Sequence, residues 1–140
     1  MVHLFPSLVT KIRIGSGKCN NEKYTVLDLS AFKNLKSVVI GDGSFMYVKV
    51  LNITGLNELE SVEIGMNSFR RDKKEGSFSL KNCPKLKSLK MGRYSFSDYT
   101  VIEIENVNAL EVIEMGDLNE VSSNFYWASL ELKSILIHNE

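Results

Sequence analysis

Glu63 and Glu114 are the two residues of this chain best placed to do chemistry together. They occupy the same position in two copies of a repeated strand pattern, and Lys90 holds that position in the copy between them. Two strand spacings put the acids about 9.6 Å apart, close to the gap of roughly 6.5–9.5 Å found in inverting glycosidases. Such an enzyme needs one carboxyl kept protonated by a raised pKa. A lysine between the two would hold both ionised, so the pair argues for a charged surface and against acid–base work.

Other reactive residues are sparse. The histidines, His3 and His138, stand near opposite ends of the sequence. No Ser–His–acid or Cys–His arrangement can be proposed, and no cluster has the composition of a metal site. The chain is therefore expected to be no enzyme and to need no cofactor. Cys19 and Cys83 fall in different columns of the repeat, about three strands apart, which exceeds the reach of a disulfide. Both occupy apolar columns, where a free thiol acts as a small hydrophobe. Asn52-Ile53-Thr54 is a glycosylation sequon within a strand run. The lack of cysteine-rich caps points instead to the cytoplasm, and a surface or secreted location fits if the chain is part of a larger protein.

Charge excludes some partners. The 140 residues carry 17 basic and 17 acidic side chains, so no global field draws the chain to nucleic acid or an anionic membrane. Locally the balance is uneven. Residues 70–93 hold nine basic and two acidic side chains, whereas 94–140 hold one basic and nine acidic. A basic band can bind a phosphate backbone. This one lacks interleaved exposed aromatics, and the acidic turns beside it repel the same backbone. No apolar run approaches the roughly 18 residues of a membrane span.

The elements that position these residues are repeats. Leu59 to Phe69 reads LESVEIGMNSF; Leu35 to Phe45 reads LKSVVIGDGSF and Leu86 to Phe96 reads LKSLKMGRYSF. Weaker copies are VTKIRIG from Val9, LEVIEMG from Leu110 and LKSILI from Leu132. The marker glycines Gly15, Gly41, Gly65, Gly92 and Gly116, with His138 in place of a sixth, are spaced by 26, 24, 27, 24 and 22 residues. A period of this length means a solenoid. A second alternating run precedes each marker strand: Val26–Leu29, Val50–Ile53, Ser77–Leu80 and Val101–Ile104. Alternation of this kind marks half-buried strands. The expected fold is a β-rich, α/β-type right-handed solenoid with two short parallel strands per turn and little or no helix.

LESVEIGMNSF resembles the leucine-rich repeat pattern L-x-x-L-x-L-x-x-N-x-L, with Asn67 at the asparagine and Phe69 closing the phrase. Cys83-Pro84-Lys85-Leu86 is similar to the lead-in of cysteine-containing leucine-rich repeats. Ile-Gly-x-x-Ser-Phe is similar to the Ile-Gly-x-x-Ala-Phe phrase of the BspA-type subclass of microbial surface proteins. The likeness covers roughly residues 8–118; Gly17, Gly43, Tyr94 and Leu118 stand where the family carries asparagine. It implies one leucine-rich repeat domain over residues 1–140, five to six repeats long, read as a piece of a longer array. It also implies a non-catalytic module for protein–protein interaction. A parallel β-helix or adhesin-type domain that binds or cleaves polysaccharide is the alternative.

In that family the marker-strand sheet lines the concave face that meets a partner. Its outward columns here are Lys11, Ser37, Ser61, Ser88, Val112, Ser134 and Arg13, Val39, Glu63, Lys90, Glu114, Leu136. The bends add Asp42, Met66, Arg93, Tyr94 and Asp117. Candidate partner contacts are therefore Arg13, Ser37, Asp42, Ser61, Glu63, Ser88, Lys90, Arg93, Tyr94 and Glu114. The phenylalanines of the Ser-Phe pairs are expected to stack as an internal spine, with Glu120 on their column in the last turn and the Phe125, Tyr126 and Trp127 cluster capping it. The residues after the column leucines, Lys36, Glu60, Lys87, Glu111 and Lys133, alternate in sign and are expected to ladder turn against turn. The chain is expected to be a monomer or to self-associate weakly, edge to edge.

Overall fold

The computed structural model describes residues 5–70, 74–116, 123–126, 128 and 132–133. A short 3-10 turn (Pro6–Leu8) leads into ten parallel strands: β1 (Lys11–Ile14), β2 (Val26–Asp28), β3 (Ser37–Ile40), β4 (Val50–Thr54), β5 (Ser61–Ile64), β6 (Ser77–Lys81), β7 (Ser88–Met91), β8 (Val101–Glu105), β9 (Val112–Met115) and β10 (Leu132–Lys133). Odd strands form one sheet in the order β1-β3-β5-β7-β9, here sheet A; even strands form the other, β10-β8-β6-β4-β2, here sheet B. The chain alternates between the sheets and advances by one strand in each per turn. It is a β-solenoid of about five turns, as the repeats predict.

The register is the one the sequence columns give. Ser37 pairs with Ser61 and Ser61 with Ser88; Val39 pairs with Glu63, Glu63 with Lys90, and Lys90 with Glu114. Between them Val38, Val62 and Leu89, and then Ile40, Ile64 and Met91, turn inward and are buried. Sheet B supplies Leu51, Phe78 and Ile102, then Ile53, Leu80 and Ile104. Column leucines Leu35, Leu59 and Leu86 seal the core between the sheets.

Each Ser-Phe pair has its own role. Phe45, Phe69 and Phe96 take left-handed φ of 55°, 53° and 57°, a conformation that costs an L-residue about 1–2 kcal/mol. Burying a phenylalanine returns about 1.5–3 kcal/mol, and an aromatic pair adds about 0.5–1.5 kcal/mol. The rings stack at 5.3 Å from Phe45 to Phe69 and 5.0 Å from Phe69 to Phe96. Burial and stacking together outweigh the strain. The preceding serines are fully buried and tie turn to turn. Ser68 Oγ donates to the Gly41 carbonyl (2.8 Å) and accepts from the Ser44 N–H (3.1 Å); Ser44 Oγ does the same for Gly15 and Lys18.

Three of the marker glycines, Gly41, Gly65 and Gly92, are required by close approach. None of Gly41, Gly65 and Gly92 has a left-handed φ, but a Cβ there would lie within 2.4–2.5 Å of the neighbouring turn's nearest atom. Glycine at these positions lets two backbones touch, whereas Gly116 takes a left-handed φ of 69°.

The last turn departs from expectation. Leu132-Lys133 was predicted to begin another marker strand, but β10 lies in sheet B, with Leu132 opposite Ile104 and Lys133 opposite Glu105. Lys133 is therefore not the fifth member of the sign-alternating column. The phenylalanine column also continues differently. Phe125, with φ of 52°, stacks on Phe96 at 5.6 Å. It caps the spine, as expected of the aromatic cluster, and Asn124 takes the serine's place by donating to the Gly92 carbonyl at 2.8 Å. Glu120, Trp127, Ser134, Leu136 and His138 lie outside the described residues, as do His3, Asp117 and Leu118.

Lys36, Glu60, Lys87 and Glu111 do form a ladder: the N–H of each of the last three donates to the carbonyl of the residue before it in the column, at 2.8–2.9 Å. Among the described residues, though, no ion pair joins these four side chains. Pairs that do form between turns include Lys85 with Glu58 at 2.8 Å and Lys81 with Glu103. Lys87→Glu is accordingly expected to cost only about 0.2–1 kcal/mol at low salt, read from urea unfolding. Reversing Glu60 and Glu111 to lysine in the same chain should recover most of it, and no recovery would mean the column carries no electrostatic weight.

Candidate functional site

The outward face of sheet A brings the predicted contacts together. Its first column, Ser37, Ser61 and Ser88, consists of small, half-buried hydroxyl residues. Beside it runs the more exposed column of Arg13, Val39, Glu63, Lys90 and Glu114. Lys90 Nζ lies 4.0 Å from Glu114 Oε2, so the lysine between the two acids sits where the columns put it. Both acids are exposed on open sheet.

Past the marker glycines the bends add an ordered rim. Ser16 Oγ accepts the Asp42 N–H at 3.1 Å, and Asp42 Oδ1 accepts the Met66 N–H at 2.8 Å. Asp42 is therefore engaged as a turn-to-turn strut. Met66 keeps 47% of its surface exposed. The next position is left-handed in every described copy: Gly17, Gly43, Asn67 and Tyr94. Glycine and asparagine both tolerate that conformation, which accounts for Gly17, Gly43 and Asn67 sharing this position.

Tyr94 is held by cations. The Arg93 guanidinium lies 4.6 Å from its ring centroid and donates to its hydroxyl at 2.8 Å. The Arg70 guanidinium lies 5.2 Å from the same ring, and its Nη1 donates to Asn67 Oδ1 at 3.1 Å. Sequence reasoning placed Arg93 and Tyr94 at the rim. It missed Arg70, which reads as the start of a charged loop; no spacing in the sequence marks it as a neighbour of Tyr94.

Elsewhere the charges are mostly structural. Lys81 is held above the usual lysine range, first by its hydrogen bond to Glu103, which is lowered in turn by the same bond. Lys85 and Glu58 do likewise. The basic band is thus partly neutralised by neighbouring turns. Asn52 lies on the outer face of sheet B, where its amide donates to Asp28 Oδ1 at 3.3 Å. Among the described residues no group of His, Cys, Asp and Glu could hold a metal ion, and no helix is long and apolar enough to cross a membrane.

The cysteines are unpaired. Cys83 is fully buried, and burial pushes its thiol above the ordinary value. Cys19 is half-buried at the first end of the aromatic column, so the core expectation holds fully for Cys83 alone. Only the thiolate is nucleophilic. Iodoacetamide is expected to label Cys19 in the native protein and Cys83 only after denaturation, read by peptide mass spectrometry. Equal native labelling would place Cys83 outside the core.

Comparison with family models, curated proteins and solved structures finds no match to this chain.

Proposed function

We propose that this chain is a non-catalytic, leucine-rich-repeat-like module that binds another protein through the outward face of sheet A. The observation that carries the reading is the Tyr94 ring held by Arg70 and Arg93 beside the exposed Met66. Tyrosine and arginine are over-represented among residues that dominate interface energy. A ring already ordered by two guanidinium groups gives up little conformational freedom when a partner arrives. The flat serine column beside it offers hydroxyls close to the backbone, and the Arg13, Glu63, Lys90, Glu114 column offers charge of both signs for orientation.

The test is affinity capture from the source organism, followed by titration of the captured protein. Tyr94→Asn keeps a residue suited to the left-handed position, as Asn67 shows in the preceding turn. With Arg70→Ala added, affinity should fall at least about tenfold while the thermal midpoint holds. Unchanged binding would remove the rim from the interface. Release of oligosaccharides from polygalacturonate, lost in Glu63→Gln, would overturn the non-catalytic reading in favour of the polysaccharide one.

A further inference from the structure

The sequon Asn52-Ile53-Thr54 has no part in the function proposed above, and it lies in the middle of sheet B. Its strand, β4, has β2 on one side and β6 on the other. Alternation along β4 buries Leu51 and Ile53 and turns Val50, Asn52 and Thr54 outward, each half-buried. The acceptor amide and the hydroxyl that a sequon requires therefore stand side by side on one outer face. A sequon one residue out of phase would put both in the core.

The bonds of the Asn52 side chain leave a place for one substituent. Thr54 Oγ1 donates to Asn52 Oδ1, and Asn52 Nδ2 donates to Asp28 Oδ1 at 3.3 Å. An asparagine amide has two N–H groups, and among the described residues the second has no acceptor. A sugar takes the place of one N–H and leaves the other. The modified side chain can thus keep its bonds to both Asp28 and Thr54.

The surroundings are small. Asn52 faces Asp28 on β2 and Ser79 on β6. The adjoining outward column runs Val26, Val50, Ser77, Val101, with no long cation or aromatic ring to crowd a sugar. Lys81, opposite Thr54, pairs instead with Glu103 on the far side, on β8. Val26 and Val101 are 57% and 45% exposed. The CH groups of a sugar ring at Asn52 would cover part of this apolar strip.

We infer that Asn52 is an N-glycosylation site whose glycan covers the outer face of sheet B. In the transfer a bond forms between Asn52 Nδ2 and C1 of the reducing-end sugar. The bond from C1 to the diphosphate of a polyprenyl-linked donor breaks, the diphosphate keeps the electron pair, and one amide proton is lost. Use of such a donor sets the chain on a secretory route, against the cytoplasmic expectation from its sequence. The outer faces of the two sheets lie on opposite sides of the core, so the glycan leaves the sheet A face clear, and the site is independent of the reading of that face.

Glycopeptide mass spectrometry of the protein isolated from its source organism tests this. The expected result is a peptide carrying sugar on Asn52, with amidase release in heavy-oxygen water leaving labelled aspartate at that residue. Expressed in the same organism, Thr54→Val suits the strand but lacks the hydroxyl, and should lose the sugar. Thr54→Ser restores the hydroxyl and should keep it. Unmodified Asn52 in the natural protein would overturn the inference. So would a Thr54→Val chain glycosylated like its parent, or a Thr54→Ser chain that carries no sugar.

Discussion

Phe96→Ala is expected to lower the unfolding free energy by about 3–5 kcal/mol, the range for truncating a buried phenylalanine. Phe96 is the hub of the aromatic spine. It stacks on Phe69 at 5.0 Å and on Phe125 at 5.6 Å, and meets Phe78 and Tyr99 edge-on at 4.7 and 5.1 Å. Removing the ring opens a cavity bordered by four others and uncouples the last turn from the stack. The backbone supplies an internal control. With φ at 57°, alanine keeps the left-handed strain and glycine relieves it. Phe96→Gly should therefore be more stable than Phe96→Ala, by up to about 1 kcal/mol. In an ordinary strand the order is the reverse. Urea unfolding followed by circular dichroism reads both variants, and alanine ranking above glycine would show that the bend is not left-handed.

Gly65→Ala should cost about 3 kcal/mol or more, the upper range for forcing extra volume into a packed interior. The added Cβ would stand 2.4 Å from Asp42 Oδ1, 2.6 Å from the Asp42 nitrogen and 2.7 Å from the Gly41 carbonyl carbon. A carboxylate can swing away, but a backbone hydrogen-bonded into the next turn cannot. The Gly65 N–H donates to the Ile40 carbonyl at 2.8 Å, so opening the gap stretches the ladder that holds the turns together. Gly92→Ala faces the same obstacle against the Met66 nitrogen at 2.4 Å. Gly15→Ala, whose added Cβ would meet no described atom closer than 3.8 Å, serves as the control within the same set of variants, and thermal midpoints compare all three. Similar midpoints for Gly65→Ala and Gly15→Ala would mean that the turns are further apart than described.

The regular part of this fold could be read from the sequence because every turn solves the same problem in the same way. The marker glycine is followed four residues later by Cys19, Phe45, Phe69 or Phe96, so one alignment fixes both outward columns of sheet A. What lay beyond reach has three physical causes. Contacts between turns are invisible in a linear pattern, so Ser68 reads only as a small polar residue although its hydroxyl bridges two backbones. An insertion breaks the last turn: Phe125 follows Gly116 by nine residues, and a fixed offset lands on Glu120. Strands of the two sheets also share a period of two. Leu132-Lys133 matches Leu86-Lys87 of the marker motif, but it equally matches Leu80-Lys81 of β6, and the latter pairing is the one adopted.

The candidate face divides along the same line. Ser37, Ser61, Glu63, Ser88, Lys90 and Glu114 follow from strand alternation alone. The Arg70–Tyr94 contact does not, because it joins a loop to the bend of the next turn. The charge bands were legible as bands, but the partners were misassigned. Lys81 and Lys85, rather than Lys87, reach acids on neighbouring turns, since their positions place the side chains toward Glu103 and Glu58.

Every surface described above depends on the register between turns, and a slip of one residue would turn each strand's buried side chains outward. Nuclear Overhauser contacts in the isotope-labelled chain test that register most directly. The expected result is a continuous series of ring-to-ring contacts from Phe45 to Phe69 to Phe96 to Phe125, with parallel-strand backbone contacts linking Ser37, Ser61 and Ser88. Contacts displaced by one residue, or ring contacts that skip Phe125, would contradict the stack.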